Sequence, residues 1–166
     1  NRLALGTAQF GADYGLAGDC KVPRDEVRRI LEFAGSCRID MLDTAIGYGD
    51  SEKVLGEVGI ENWKVVTKLC ALPDDCEHVS QWILDSVKGS LDRLRIPWLN
   101  GLLLHRPDDL LGLSGPILYA GLEACKEQGL VRNIGISIYD PHELDSILAR
   151  YPMDLVQIPF NVLDRR

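Results

Sequence analysis

The chain is poor in basic residues: its 166 residues hold 18 Lys and Arg against 25 Asp and Glu, a net charge of −7. A nucleic-acid or anionic-membrane surface wants a basic patch, so neither partner is expected. Long apolar runs are also missing. None approaches the ~20 residues that span a bilayer. The amino end shows no basic stretch followed by an apolar one, so no secretory leader is expected. Cysteine is scattered: Cys20, Cys37, Cys70, Cys76 and Cys125 are odd in number and form no CxxC pair. They read as the reduced thiols of a cytoplasmic protein. The histidines, His78, His105 and His142, have neither His-x-His nor His-Glu-x-x-His spacing, so no metal centre is expected. Residue 1 is not Met, so it is not expected to be the start of the gene product.

What is present is alternation. Short apolar runs (residues 3–6, 39–43, 64–68, 101–105, 133–137 and 154–158) are separated by stretches of helical period, the mark of successive βα units and a parallel sheet. Helices are expected over residues 25–36, 51–58, 79–94, 117–128 and 141–151. The first puts Val27, Ile30, Leu31 and Ala34 on one face, and the third does the same with Ile83, Val87, Leu91 and Leu94. Ser51 is expected as an N-cap followed by an acid, Glu52, that suits the helix dipole, Asp140 as another N-cap with Pro141 at the first helical position, and Gly129 as the residue just past a helix end.

Each predicted strand ends in a polar residue: Thr7, Asp43, Lys68, His105, Ser137 and Gln157. In a (β/α)8 TIM barrel those ends converge on the rim that carries active sites. An open doubly wound sheet is the alternative, but the first loop, Gly6-Thr7-Ala8-Gln9-Phe10-Gly11, fits neither Gly-x-Gly-x-x-Gly nor a P-loop. Only about six βα strands fit before Arg166, whereas a complete barrel takes roughly 250 residues. Residues 1–166 therefore read as one barrel domain truncated before its last two βα units, and an unclosed sheet of this kind is expected to self-associate through its edges.

The stretch Asp43-Thr44-Ala45-Ile46-Gly47-Tyr48-Gly49-Asp50-Ser51-Glu52 follows the second strand. A free phenol, with pKa ~10, gives up its proton poorly at neutral pH. If Lys68 met Tyr48 its ammonium would favour the phenolate, Asp43 would hold that ammonium charged and oriented, and His105 would orient a carbonyl oxygen. Singly, each has an ordinary reading: a solvated Lys at a strand end, a structural His after three leucines, an Asp that caps the next segment. Jointly, Asp43, Tyr48, Lys68 and His105, in this order at successive strand ends, resemble the aldo-keto reductase superfamily over nearly the whole chain.

The resemblance implies an NAD(P)H-dependent oxidoreductase that reduces an aldehyde or ketone to an alcohol, with Tyr48 as proton donor and Lys68, Asp43 and His105 as its catalytic partners. It also implies a nicotinamide bordered by Gly6, Thr7, Asp43, Ser137 and Gln157, with Asn161 completing the Gln-x-x-x-Asn spacing. NADPH is the implied cofactor, with NADH as the alternative, and a small-molecule carbonyl is the implied substrate. Ile138 departs from the Asn found in many members and resembles a bacterial branch with an apolar residue there. The loops that grip the cofactor's phosphates in the family lie beyond these residues. Asp13-Tyr14-Gly15 and Trp63 are candidates for the border of the site, though a surface loop and a core aromatic are the simpler readings. Two other functions remain open: a cofactor-binding subunit that senses redox state, and an inactive truncated fragment.

Overall fold

The computed structural model of the protein describes residues 2–12 and 21–163, apart from the side chain of Glu143. Asp13-Tyr14-Gly15 and Cys20 lie outside the described residues. Among the described residues six strands, β1 (Leu5–Gly6), β2 (Met41–Asp43), β3 (Lys64–Leu69), β4 (Gly101–Leu104), β5 (Ile134–Ser137) and β6 (Leu155–Gln157), pair in sequence order, all parallel. Six helices among the same residues connect them: α1 (Ala8–Gly11), α2 (Arg24–Ser36), α3 (Ser51–Val58), α4 (Val79–Leu94), α5 (Gly115–Glu127) and α6 (His142–Leu148). A short 3-10 turn, Pro107–Leu110, precedes α5.

The sheet curls into a partial barrel. β2 and β6 are separated by three strands, yet Gln157 on β6 reaches Asp43 on β2 across the interior, Nε2 to Oδ1 at 3.0 Å. Alternation along the strands sorts the side chains. Met41, Asp43, Val66, Leu103, Leu155 and Gln157 line an interior cavity of about 340 Å³. Leu42, Val65, Leu69, Leu102, Leu104, Ile134 and Ile136 join the core cluster shared with Leu31, Leu55, Ile83, Val87, Leu94, Leu118 and Leu122 of the helices. The central strands are therefore covered on both faces, which is why β3 to β5 read as nearly continuous apolar runs. The edge strands β1 and β6 remain half exposed.

Of the expected helix stripes, Val27, Leu31 and Ala34 of α2 and Ile83, Val87, Leu91 and Leu94 of α4 are buried, and Ile30 is half-buried against the same core. Gly129 adopts φ +72° two residues past the end of α5, as a C-terminal glycine does. Ser51 is a correction, because it is the first helical residue and makes no cap bond. Its hydroxyl is drawn instead into buried contacts with Thr7 and Thr44. At α6 the expected cap is also shifted by one residue: Pro141 is the N-cap and His142 the first helical residue, although the Asp140 carboxylate accepts the His142 N–H at 3.0 Å, and the helix stops at Leu148, short of Tyr151. β6 stops at Gln157 ahead of Pro159, since the residue before a proline is restricted and proline has no N–H to pair.

Candidate active site

The carboxyl ends of the strands form one rim. There, Asp43, Tyr48, Lys68, His105, Ser137 and Gln157 line a single cavity of about 230 Å³, whose remaining walls are Ile138, Tyr139, Ile158 and Pro159. Lys68 is the most deeply placed, with 2% of its surface exposed. A buried ammonium needs a counter-charge and hydrogen-bond acceptors. It has both: Nζ donates to Asp43 Oδ1 at 2.8 Å and to the carbonyl of Thr44 at 2.9 Å. The same ammonium lies 5.1 Å from the centre of the Tyr48 ring. Tyr48 and His105 meet edge to face, their centroids 6.2 Å apart.

Burial depresses the His105 pKa below its ordinary value of 6.5, the Lys68 charge depresses it further, and Asp43 opposes both. The imidazole is therefore held neutral at pH 7, able to donate one N–H while keeping an acceptor nitrogen. A cation beside a phenol and a neutral imidazole facing it suit proton transfer to an oxygen placed between the two rings.

The loop that carries Tyr48 is fixed from three sides. The Ile46 N–H bonds the carbonyl of Lys68 at 3.1 Å, tying the loop to β3. Beneath it, Thr7, Thr44 and Ser51 are fully buried and form a knot of hydroxyls. Thr7 Oγ1 donates to the Asp43 carbonyl at 3.0 Å, Ser51 Oγ donates to Thr7 at 2.9 Å, and Thr44 Oγ1 and Ser51 Oγ are 3.1 Å apart. Since the single Ser51 proton goes to Thr7, Thr44 is the donor in the last bond. On the third side Gly11 abuts the loop so closely that a Cβ there would lie 1.9 Å from the Tyr48 carbonyl. Gly49 supplies the φ of +56° that turns the chain back toward Gly11.

Of the residues singled out from sequence, Gly6 lies outside the cavity lining but at its rim, register-paired with Asp43, and open space surrounds the position of its missing Cβ. Thr7 turns its side chain away into the knot. Asn161 is exposed and accepts the Leu163 N–H at 2.9 Å. Trp63 takes the simpler of its two readings, a core aromatic: it precedes β3 and packs against the core at the amino end of the strands, beside Asp40 and Arg38, away from the rim. Among the described residues no grouping of three or more His, Cys, Asp or Glu could hold a metal ion, and no helix is long and apolar enough to cross a membrane.

Sequence reasoning missed a buried carboxylate with several partners. Glu52, 2% exposed, accepts Thr67 Oγ1 at 2.6 Å, Ser90 Oγ at 3.0 Å and Arg93 Nε at 2.8 Å, binding α3 to β3 and α4 directly behind Lys68. A first-turn acid suits a helix dipole, and that local reading hid the tertiary one. The available signal was Thr67, a polar residue at an outward position of a strand otherwise covered by apolar side chains.

The family model of the aldo/keto reductases matches residues 2–166. The chain belongs to this family. Aldo-keto reductase YhdN of Bacillus subtilis is 27% identical over 99% of this chain and 51% of its own length. The chloroplastic pyridoxal reductase of Arabidopsis thaliana is 32% identical over 84% of this chain and 43% of its own. Among solved structures, the Pseudomonas aeruginosa protein PA4992 superimposes with a TM-score of 0.80 at 28% identity, covering 98% of this chain and 64% of that one. The chain thus spans about half the length of the curated relatives it matches. The six curled strands and their helices are the corresponding part of the aldo-keto reductase barrel. Within that family frame Ile138 is accounted for. Its side chain is 1% exposed in the core, and its N–H bonds the Gln157 carbonyl at 2.9 Å, extending the β5–β6 pairing.

Proposed function

We propose that this aldo-keto reductase chain carries the proton-transfer half of an NAD(P)H-dependent reduction of an aldehyde or ketone to an alcohol. The observation that supports it most is the Asp43–Lys68 ion pair set beside Tyr48, with His105 facing the same phenol in one cavity. In this reading the carbonyl oxygen sits between Tyr48 and His105. His105, neutral by burial, donates an N–H that orients the oxygen. Tyr48 gives it the phenolic proton, and the Lys68 ammonium stabilises the phenolate left behind. Asp43 keeps Lys68 in place and balances its charge in the interior.

The residues present fit a nicotinamide. Gly6 leaves open space at the rim where a Cβ would stand, and Ser137 and Gln157 line the cavity at neighbouring strand ends. Asp43 borders the same space, and the backbone at Gly6 and Thr7 would form its floor. When bound, the reduced nicotinamide supplies the hydride. We assign NADPH, with NADH as the alternative. The Arabidopsis relative is named for pyridoxal, an aldehyde, which supports a small carbonyl compound as substrate here. Exposed thiols at Cys37 and Cys70 are in keeping with a cytoplasmic location.

The test is Tyr48→Phe in the complete protein. It is expected to abolish NADPH oxidation with reactive aldehydes while NADP binding survives. Undiminished turnover would remove Tyr48 from the mechanism. Tight NADP binding with equally slow oxidation by wild type and variant would assign the chain to a redox-sensing subunit instead.

A further inference from the structure

Asp43 Oδ1 accepts two donors: Lys68 Nζ at 2.8 Å and, from the far edge of the sheet, Gln157 Nε2 at 3.0 Å. We propose that Gln157 is a positioning residue that acts through Asp43, clamping the carboxylate from across the interior so that it stays aimed at Lys68. Its consequence for turnover rests on the reductase reading, but the clamp does not. It is a second use of a side chain that the family resemblance gives to the nicotinamide.

β2 is three residues long, and Asp43 ends it with its carboxylate 23% exposed, so the strand alone does little to fix its rotamer. Lys68 is almost wholly buried and depends on that carboxylate staying in place. A carboxylate offers about four acceptor positions, so the lysine leaves room for a second donor on the same group. An amide suits that place because it donates without adding charge to a pair that is already neutral in sum. A cation would overcompensate Asp43, and an anion would repel it. The titratable groups that face Gln157 in the cavity are Asp43, Tyr48, Lys68, His105 and Tyr139, and the one excess charge created by substitution would be felt among them.

Gln157→Glu and Gln157→Leu, made in the complete protein, test the clamp. A Glu of the same length can donate to Asp43 when the two carboxyl groups share one proton. Once ionised it has no donor, and two carboxylates then face one ammonium. Its thermal midpoint is therefore expected to match wild type near pH 5 and to fall behind by roughly 5 °C near pH 8. Leu has no donor at any pH, so its deficit is expected to be constant. NMR titration of His105 supplies a readout that packing alone would not move: Gln157→Glu raises the imidazole midpoint by about one unit, since a new anion faces it, and Gln157→Leu does not. A Gln157→Glu deficit that is flat with pH, or wild-type stability in both variants, would overturn the proposal. Failure of the reductase reading is separate, since it is decided by Tyr48→Phe turnover and leaves these stability measurements standing.

Discussion

Replacing Gly11 by Ala should injure the site from a position outside the cavity lining. An added Cβ would lie 1.9 Å from the Tyr48 carbonyl oxygen, 2.1 Å from the Ser51 nitrogen and 2.7 Å from the Ser51 Cα. Ordinary contact begins near 3.4 Å, so the Tyr48 carbonyl must retreat by about 1.5 Å. These are backbone atoms, and no side-chain rotamer can relieve the clash. The turn cannot simply swing away, because the Asp50 N–H bonds the Gly11 carbonyl at 3.2 Å and Ser51 is locked to Thr7 from below. Overpacking of a rigid contact costs about 1–3 kcal/mol, and the upper half of that range applies here. For a chain of this size the melting midpoint should fall by roughly 5–10 °C. A displacement of an ångström at a reacting group costs on the order of a hundredfold in rate, so carbonyl reduction by the complete enzyme should fall by about that factor. Gly6→Ala is the control. Its Cβ meets nothing within 4 Å, so stability should hold within about 0.5 kcal/mol, while the methyl group fills space assigned to the nicotinamide and weakens cofactor binding. Thermal melts and steady-state NADPH oxidation of the two variants decide the matter. A Gly11→Ala protein that melts and turns over like wild type would refute the claim that this contact places Tyr48.

Further outcomes are open to direct measurement. Glu52→Ala strands the buried hydroxyls of Thr67 and Ser90 but leaves Arg93, 40% exposed, in reach of water, so a loss of about 2–3 kcal/mol in chemical denaturation is expected. Lys68→Met should remove turnover and destabilise the fold by about 3 kcal/mol, the low end for a broken buried pair because Asp43 is 23% exposed and keeps the Gln157 amide. His105, whose folded pKa is lowered by burial, binds fewer protons than in the unfolded chain. Its contribution to stability is thus present above pH 6.5 and is lost as pH falls through the depressed folded value. His105→Gln should flatten that part of the stability profile, and an NMR midpoint for His105 at or above 6.5 would contradict the assignment. The 166-residue chain produced alone should self-associate in sedimentation, since Phe160, Val162 and Leu163 are each about nine-tenths exposed beside the unpaired edge of β6.

The sequence by itself determined the order and type of the elements and which side chains stand at strand ends. Apolar alternation and helical period are local properties of the chain. Val79–Leu94 and Ser51–Val58 have the bounds that periodicity and punctuation predict. The string from Asp43 to Glu52, with Lys68 and His105 after it, was enough to assign a family. Tertiary structure alone decided what those residues touch. Ser51 and Glu52 read as a helix entry because capping is local, yet one closes a buried hydroxyl knot and the other gathers donors from β3 and α4. Gln157 is 114 residues from Asp43 in the chain, and only the curl of the parallel sheet makes them neighbours. Short-range pattern decides which face of an element is apolar, whereas the partner of a buried polar atom depends on how the faces close on one another, and in this protein the chemistry sits where they close.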